Sequence, residues 1–349
     1  MSLTASQSNE RRRPGKIKLA LSALTTLAAI SLSIAGAGAP AASAQAPPPA
    51  QPRPPQLAFG LTTGNALVRF DTANPGMILG RASVRGLQAG ESLVGIDFRP
   101  ANNALYGVGS TGRLYTVDPA SGVAQQVGPG PLPGPVQGTA FGVDVNPVPD
   151  RLRVVSTQGQ NLRINMDTLE TLTDGGLAYA AGDRNAGQRP TVVGAAYTNN
   201  MAGATTTMLY VVDAGRDVLA LQNPPNDGVL NTVGALGVDA SEMVGFDVAP
   251  GTGAAFAALS APGAGVSTLY SVDLASGAAR RVGLIGGGQT LRGMALVLDG
   301  TATFSAGGPL MLPRTGLGAA TGGLLAGAVS LLLGGIAMRG RRTPSGSSR

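Results

Sequence analysis

The sequence predicts an all-β protein in which residues 57–298 form a five-bladed β-propeller. The 349-residue chain contains 53 glycines and 25 prolines, and its apolar runs are short and alternating, which favours turn-rich β structure over helix. A degenerate repeat returns roughly every 50 residues. The two ends of the repeat region are incomplete in complementary ways, as expected of a ring that is closed by its own termini.

Each repeat contains four short strands, and the first strand is the best marked. In one complete unit the runs cover residues 94–98, 104–109, 113–118 and 124–128, bounded by Gly, Pro, Asn or Asp. Such runs are typical of a four-stranded meander. The first strand recurs as Gly95-Ile-Asp-Phe, Gly142-Val-Asp-Val, Gly194-Ala-Ala-Tyr, Gly245-Phe-Asp-Val and Gly293-Met-Ala-Leu.

The incomplete ends predict how the ring closes. Residues 57–84 supply three strands without a first strand, and residues 291–298 supply a first strand alone. We therefore expect the N- and C-terminal strands to share one blade, which leaves only short, protected strand edges. An open β-sandwich is the alternative architecture.

The N-terminal segment predicts export. Residues 1–44 combine Arg11–Arg13, Lys16 and Lys18 with an apolar stretch over 19–34, expected as a signal helix, and end in Ala42-Ser43-Ala44. This order is typical of a secretory signal peptide with an A-x-A cleavage site. Residues 45–56 are rich in proline and predict an exposed, extended linker.

The C-terminal segment, residues 312–349, predicts anchoring. It runs from Leu312-Pro313-Arg314-Thr315-Gly316 through an uncharged stretch, 317–338, to a basic tail. As a transmembrane helix, 317–338 would span about 33 Å, close to a hydrocarbon core of roughly 30 Å. The order resembles the cell-wall sorting signal of Gram-positive surface proteins, the substrate of sortase. A single-pass tail anchor is the alternative.

That resemblance implies a location and two partners. Sortase would cut between Thr315 and Gly316 and join Thr315 to peptidoglycan, with Leu312 and Pro313 recognised and Arg314 in the variable position. The precursor would be held in the membrane by 317–338, and residues 299–311 would be a short spacer. We expect the mature chain at the cell surface, in the wall of a Gram-positive-type bacterium.

Composition narrows the chemistry. The chain has no cysteine and no histidine, so disulfides, thiolate nucleophiles, Ser-His-Asp triads and His-ligated zinc sites are excluded within it. The overall charge is +6, but residues 45–315 carry 16 arginines and 18 acidic residues, a net charge of about −2. Nucleic acid is therefore not an expected partner.

Five side chains are candidates for a ligand or calcium site. Asp97, Asp144 and Asp247 occupy the same position of three first strands, where the other two have Ala196 and Ala295. Carboxylates converging on a propeller channel repel one another unless they are protonated or bridged by a cation such as Ca²⁺. The alternative is that each one binds local backbone. Asp183 and Asn185, in the long connection 174–190, partly match a calcium loop but lack its later glutamate.

The repeats resemble a bacterial family catalogued as domain of unknown function 4394. The resemblance covers residues 57–298 and implies secretion and a propeller-like fold, with no activity or functional residue attached. It is most specific at four motifs, Arg151-Leu-Arg-Val-Val-Ser, Asn161-Leu-Arg-Ile-Asn, Leu177–Gly187 and Asn223–Gly234.

Three functions remain open from sequence, of which a purely structural role in the cell wall is one. A non-catalytic surface module, which requires no cofactor and binds an unidentified surface ligand, is favoured by the expected location and the narrow set of reactive side chains. An extracellular hydrolase or lyase that uses the channel carboxylates with Ca²⁺ is the alternative. Fold alone does not decide between them.

Overall fold

The computed structural model describes residues 56–298. The signal peptide, most of the linker, the spacer, the Leu312–Gly316 motif and the expected membrane segment 317–338 lie outside the described residues. Within residues 56–298 no helix is long and apolar enough to cross a bilayer. In this range the regular structure is almost entirely β, with one short 3-10 turn at Gly286–Gly288.

Twenty-one strands follow one another along the chain. The first eleven are β1 (Leu57–Thr62), β2 (Ala66–Asp71), β3 (Asn74–Ser83), β4 (Leu93–Arg99), β5 (Ala104–Gly109), β6 (Leu114–Val117), β7 (Ala124–Val127), β8 (Phe141–Asn146), β9 (Arg151–Ser156), β10 (Asn161–Ile164) and β11 (Thr171–Thr173). The remaining ten are β12 (Ala178–Tyr179), β13 (Val192–Tyr197), β14 (Leu209–Asp213), β15 (Val218–Gln222), β16 (Val229–Ala235), β17 (Val244–Val248), β18 (Ala255–Leu259), β19 (Thr268–Val272), β20 (Ala279–Leu284) and β21 (Leu291–Leu296).

These strands form five sheets, which confirms the predicted five-bladed arrangement. Blades 1 to 4 are the meanders β4–β7, β8–β11, β13–β16 and β17–β20, and blade 5 has the order β21-β1-β2-β3. Five hydrophobic clusters fill the spaces between neighbouring blades. The core is therefore a ring of inter-blade contacts, since each sheet buries both faces against its neighbours.

Ring closure occurs where the sequence predicts it. The C-terminal strand β21 pairs antiparallel with β1, and Ala58 lies opposite Leu296 while Phe59 lies opposite Ala295. The first and last described strands thus belong to one sheet. This pairing contradicts the alternative of an open sandwich.

The recurring glycine has a steric cause at the ring axis. A Cβ on Gly142 would lie 2.6 Å from the backbone nitrogen of Ala195, and a Cβ on Gly245 would lie 2.6 Å from the Cβ of Met294. Each contact joins the innermost strands of two successive blades. Glycine is needed at these two positions because the strands approach one another too closely there for any side chain.

The ring has two distinct faces. Every innermost strand runs in the same direction, so the chain enters at Leu57 and leaves after Leu296 on one face, which we call the exit face. The first-to-second and third-to-fourth strand hairpins also lie there. The opposite face, which we call the loop face, carries the second-to-third hairpins and the longer connections between blades.

One segment differs from its sequence expectation. The connection 174–190 was expected to be a loop on the ring's rim, but Ala178 and Tyr179 form β12, which pairs in parallel with β16 and makes blade 3 five-stranded. The Tyr179 hydroxyl donates to Asp213 Oδ2 at 2.6 Å. Only two residues are paired, too few for strand periodicity to reveal in the sequence.

Candidate functional site

Three aspartates meet at the ring axis. Asp97 on β4, Asp144 on β8 and Asp247 on β17 are each only 1% exposed, and one oxygen from each carboxyl group lies within 4.8 Å of the others. The structure therefore brings together the three residues that share a repeat position. We call Asp97, Asp144 and Asp247 the axial carboxylates.

Each axial carboxylate accepts a hydrogen bond from the next blade. The donors are the N–H groups of Val145 to Asp97 Oδ2 at 2.8 Å, Tyr197 to Asp144 Oδ1 at 3.0 Å, and Leu296 to Asp247 Oδ2 at 2.6 Å. These N–H groups lie on the inner edge of the ring, where no further strand can pair with them. The carboxylates thus satisfy backbone donors that would otherwise be buried without partners.

One of the two alanine positions is compensated by a hydrogen bond within the following blade. Blade 3 has Ala196 at the aspartate position, and the N–H of Val248 in blade 4 instead donates to Oδ1 of Asp247 at 2.6 Å. Blade 5 has Ala295, and the N–H of Phe98 lies close enough to the Asp97 carboxyl group to lower its pKa. Asp97 Oδ1 nevertheless has no partner with ordinary hydrogen-bond geometry.

The electrostatics of the axial carboxylates favour the uncharged state. Burial raises the pKa of Asp97 well above its ordinary value, and the charge of Asp247 adds to this effect. Burial likewise raises the pKa of Asp144, with contributions from Asp97 and Asp247. Burial raises the pKa of Asp247 to about 7, although the N–H groups of Leu296 and Val248 act in the opposite direction. Three charges this close in a buried site require protons or a cation.

The space beside the axial carboxylates is very small. A cavity of about 10 Å³ lies at the start of the innermost strands and is lined by their glycines and neighbouring apolar residues. This volume is close to what one water molecule occupies. Pockets that hold organic ligands measure about 300–1,000 Å³, so an organic substrate does not fit in this cavity.

Asp183 and Asn185 lie elsewhere, at the outer edge of blade 3. The two Asp183 carboxylate oxygens accept from the Thr232 N–H at 2.6 Å and the Thr232 hydroxyl at 2.7 Å, and the Asn185 N–H donates to Oδ1 at 2.8 Å. The Asn185 side chain donates to the Thr232 hydroxyl. The pair therefore fastens the connection 174–190 to β16, and the structure does not bring it to the axial carboxylates.

A buried polar network between blades 2 and 3 was not anticipated from the sequence. The Arg153 guanidinium, 1% exposed, donates to Asn161 Oδ1 at 2.7 Å, Asp174 Oδ2 at 2.6 Å, Asn226 Oδ1 at 2.8 Å and the Tyr197 hydroxyl at 3.1 Å. Arg153, Asn161 and Asn226 fall within the most specific motifs of the family resemblance, and Asp174 lies three residues before one of them.

A signal for this network is present in the repeats. Arg153 lies opposite Asp144 in the strand register, and the corresponding positions of the other blades hold aromatic residues: Tyr106, Tyr210, Phe256 and Phe59. One arginine among four aromatics marks blade 2 as the exceptional blade.

The loop face carries a more open groove. A cavity of about 350 Å³ lies between the connection around Pro133–Pro135 and the hairpin at Gln158–Gln160. Gln160 joins its two walls, because its Nε2 donates to the Pro135 carbonyl at 2.9 Å and its Oε1 accepts from the Gln137 N–H at 2.8 Å. The lining has exposed amides from Gln137 and Gln158 and no charged residue. It suits a neutral ligand that forms hydrogen bonds.

Comparison with known protein families identifies the family of this chain. The family model described as "Domain of unknown function (DUF4394)" matches residues 66–295. No curated protein matches the chain.

Solved structures give distant similarities. A nidogen/laminin complex matches at 12% identity and a TM-score of 0.43, covering 70% of this chain and 98% of that chain. Hydrazine synthase of Kuenenia stuttgartiensis matches at 15% identity and a TM-score of 0.35, and the match covers 59% of this chain and 53% of that chain. A protein from Lactobacillus plantarum matches at 19% identity and a TM-score of 0.35, and the match covers 69% of this chain and 71% of that chain. At these values none bears on what the chain binds.

Proposed function

Since this chain belongs to the DUF4394 family, whose description names no activity, we propose from its geometry that it is a non-catalytic binding module. The module is exported, anchored in the cell wall and turned with its loop face outward. The observation that carries the proposal is that the chain enters and leaves the ring through the exit face, while the 350 Å³ groove lies on the loop face.

The length of the spacer between the ring and the anchoring residue limits how far the ring extends from the wall. The spacer 299–311 reaches only about 45 Å when fully extended, because each residue adds at most about 3.5 Å. A ring held through Thr315 by this spacer keeps its exit face towards the anchoring point. The groove then lies on the side away from the wall, where an external ligand reaches it.

The burial of the axial carboxylates supports binding over catalysis. A hydrolase or lyase that used Asp97, Asp144 and Asp247 would have to admit its substrate to groups that are 1% exposed, beside a cavity of about 10 Å³. General acids and bases must come within hydrogen-bond reach of the reacting atoms. The groove offers amides and backbone groups, which bind ligands without supplying a nucleophile or a base.

The experiment locates and orients the protein on intact cells. The Thr315→Ala variant is expected to stay in the membrane fraction, whereas Arg314→Ala, at the variable position, should be released from the wall by muramidase like the parent chain. Normal release of the Thr315→Ala variant would contradict wall anchoring.

Orientation is measured by labelling, since the natural chain has no cysteine. We expect the Gln158→Cys variant on the loop face to react several-fold faster with a bulky, membrane-impermeant maleimide than the Ala101→Cys variant on the exit face. Both positions are exposed in the isolated ring, so the purified variants serve as the control. Equal rates on cells would contradict the outward loop face.

A further inference from the structure

We infer that the axial carboxylates form a binding site for one Ca²⁺ ion on the ring axis. Asp97, Asp144 and Asp247 come from three different blades, yet one oxygen of each lies within 4.8 Å of the others. All three are buried, and Oδ1 of Asp97 has no hydrogen-bond partner. A buried, unpaired carboxylate oxygen beside two further carboxyl groups is a ready ligand for a hard cation.

The spacing of the oxygens fits calcium. Ca²⁺ binds oxygen at about 2.3–2.6 Å, so two ligands on opposite sides of the ion lie about 4.6–5.2 Å apart. Mg²⁺ binds at about 2.0–2.1 Å and holds opposite ligands about 4.0–4.2 Å apart. The axial oxygens lie within 4.8 Å of one another, so a single Ca²⁺ ion can contact all three.

The existing hydrogen bonds leave room for coordination. Each carboxylate oxygen has about two acceptor sites, and an N–H occupies one of them on Asp97 Oδ2, Asp144 Oδ1 and both oxygens of Asp247. The N–H groups hold the carboxylates in fixed orientations before an ion arrives. Ca²⁺ takes six to eight oxygen ligands, so the second oxygens of the carboxylates or water molecules would have to supply the rest. A cavity of about 10 Å³, the size of a single water molecule, lies among the neighbouring residues of the innermost strands.

A bound ion would stabilise the ring at its axis. It would join blades 1, 2 and 4 through their innermost strands and remove the mutual repulsion of three buried carboxylates. Calcium sites in extracellular modules have dissociation constants of about 10⁻⁴–10⁻³ M, so on the cell surface proposed above this site would fill at millimolar Ca²⁺. The site is therefore structural and independent of the ligand groove.

The test uses the purified full-length chain in mild detergent, treated with a chelator and dialysed to equilibrium with CaCl₂ at pH 7.5. We expect one Ca²⁺ per chain by elemental analysis and calorimetric titration. At about 100 times the dissociation constant, we expect Tm to rise by roughly 5–10 °C. MgCl₂ at the same concentration should raise Tm less.

Two variants make the test specific. Asp97→Asn keeps the shape of the side chain but removes the unpaired anionic oxygen, and it should weaken Ca²⁺ binding at least tenfold. Asp213→Asn changes another fully buried aspartate, which binds Tyr179 and the Thr191 N–H outside the axis; it should lower Tm yet keep the Ca²⁺-dependent rise. The inference is overturned if 10 mM Ca²⁺ neither binds nor raises Tm, or if Asp97→Asn binds Ca²⁺ as the parent chain does.

Discussion

Asp174 shows how a single residue can anchor a buried arginine. Its carboxylate accepts from Arg153, which is buried between blades 2 and 3, and from Arg163 at 2.6 and 2.8 Å. Burial acts to raise the pKa of Asp174, but hydrogen bonds from Arg163 and Arg153 outweigh it, so the pKa is lowered. The carboxylate therefore stabilises the folded state in its charged form.

This lowered pKa predicts an acid-dependent contribution to stability. The folded state binds fewer protons at Asp174 than the unfolded state does, so the contribution is fully present above the unfolded pKa of about 3.9 and is lost as pH falls through the folded pKa. At pH 7, Asp174→Asn should cost about 3–5 kcal/mol, because it leaves the buried Arg153 without its anionic partner. Urea unfolding should show this difference shrinking below about pH 4.

The control for this prediction is Asp239→Asn, which changes an exposed aspartate on the connection between blades 3 and 4. Its effect on the free energy of unfolding should stay within about 0.5 kcal/mol. A cost of Asp174→Asn that is the same at pH 3 and pH 7 would show that the carboxylate acts by shape and not by charge.

The sequence predicts the location of side chains that share a position in several repeats. It does not predict contacts between side chains that have no counterpart in the other repeats. Asp97, Asp144 and Asp247 share one position of a repeated strand, so their convergence at the axis could be predicted. The Arg153 network joins residues up to 73 positions apart that belong to different repeats. Only the three-dimensional docking of blade 2 on blade 3 brings them together.

At the scale of the element, the innermost strand is defined by how closely it approaches its neighbours. Its glycine removes the side chain at the narrowest point of the ring, and the residue two positions later supplies the aspartate or alanine at the axis. The sequence pattern Gly-x-Asp therefore encodes both the close approach and the acceptor for inner-edge N–H groups. By contrast, β12 contains only two residues and is held in place by hydrogen bonds of Tyr179 and Asp183. A strand this short has no alternating pattern, so the sequence does not distinguish it from a loop.

The close approach predicts a large effect of a single methyl group. In Gly142→Ala, the new Cβ would lie 2.6 Å from the backbone nitrogen of Ala195, which cannot move aside without displacing β13. We expect a loss of about 1–3 kcal/mol in the free energy of unfolding, the usual cost of overpacking a core.

Gly182→Ala is the matched control, because a Cβ at Gly182 meets no atom within 4 Å. That variant should be neutral or slightly stabilising, since alanine restricts the unfolded chain more than glycine does. Urea unfolding of both variants measures the difference, and equal stabilities would remove the steric explanation of the repeated glycine.

At the scale of the whole molecule, ring closure couples every blade to the two ends of the described chain. The closing strand β21 contributes Leu291, Met294 and Leu296, each no more than 3% exposed. It also donates the Leu296 N–H to Asp247, and the adjacent Val297 carbonyl accepts from the Gln56 side chain at 2.7 Å. The sequence predicts this closure because the N-terminal end of the repeat region lacks a first strand and the C-terminal end supplies one.

Removing the closing strand should therefore unfold the ring. Burying a Leu or Met side chain contributes about 1.5–3 kcal/mol, so the three side chains together approach the 5–15 kcal/mol that stabilises a typical domain. We expect a chain that ends at Gly288 to lose its cooperative thermal transition by calorimetry. A synthetic peptide covering residues 289–298, added in excess, should restore it by pairing with β1.

A peptide with Leu291→Asp and Met294→Asp should fail to restore the transition, because it would place charges in the cluster between blades 4 and 5. Restoration by the unchanged peptide alone would show that stability resides in the packing of the closing strand and not in chain continuity. A shortened chain that melts at the temperature of the full-length chain would mean that four complete blades and a three-stranded fifth are sufficient, and that closure of the ring is incidental to its stability.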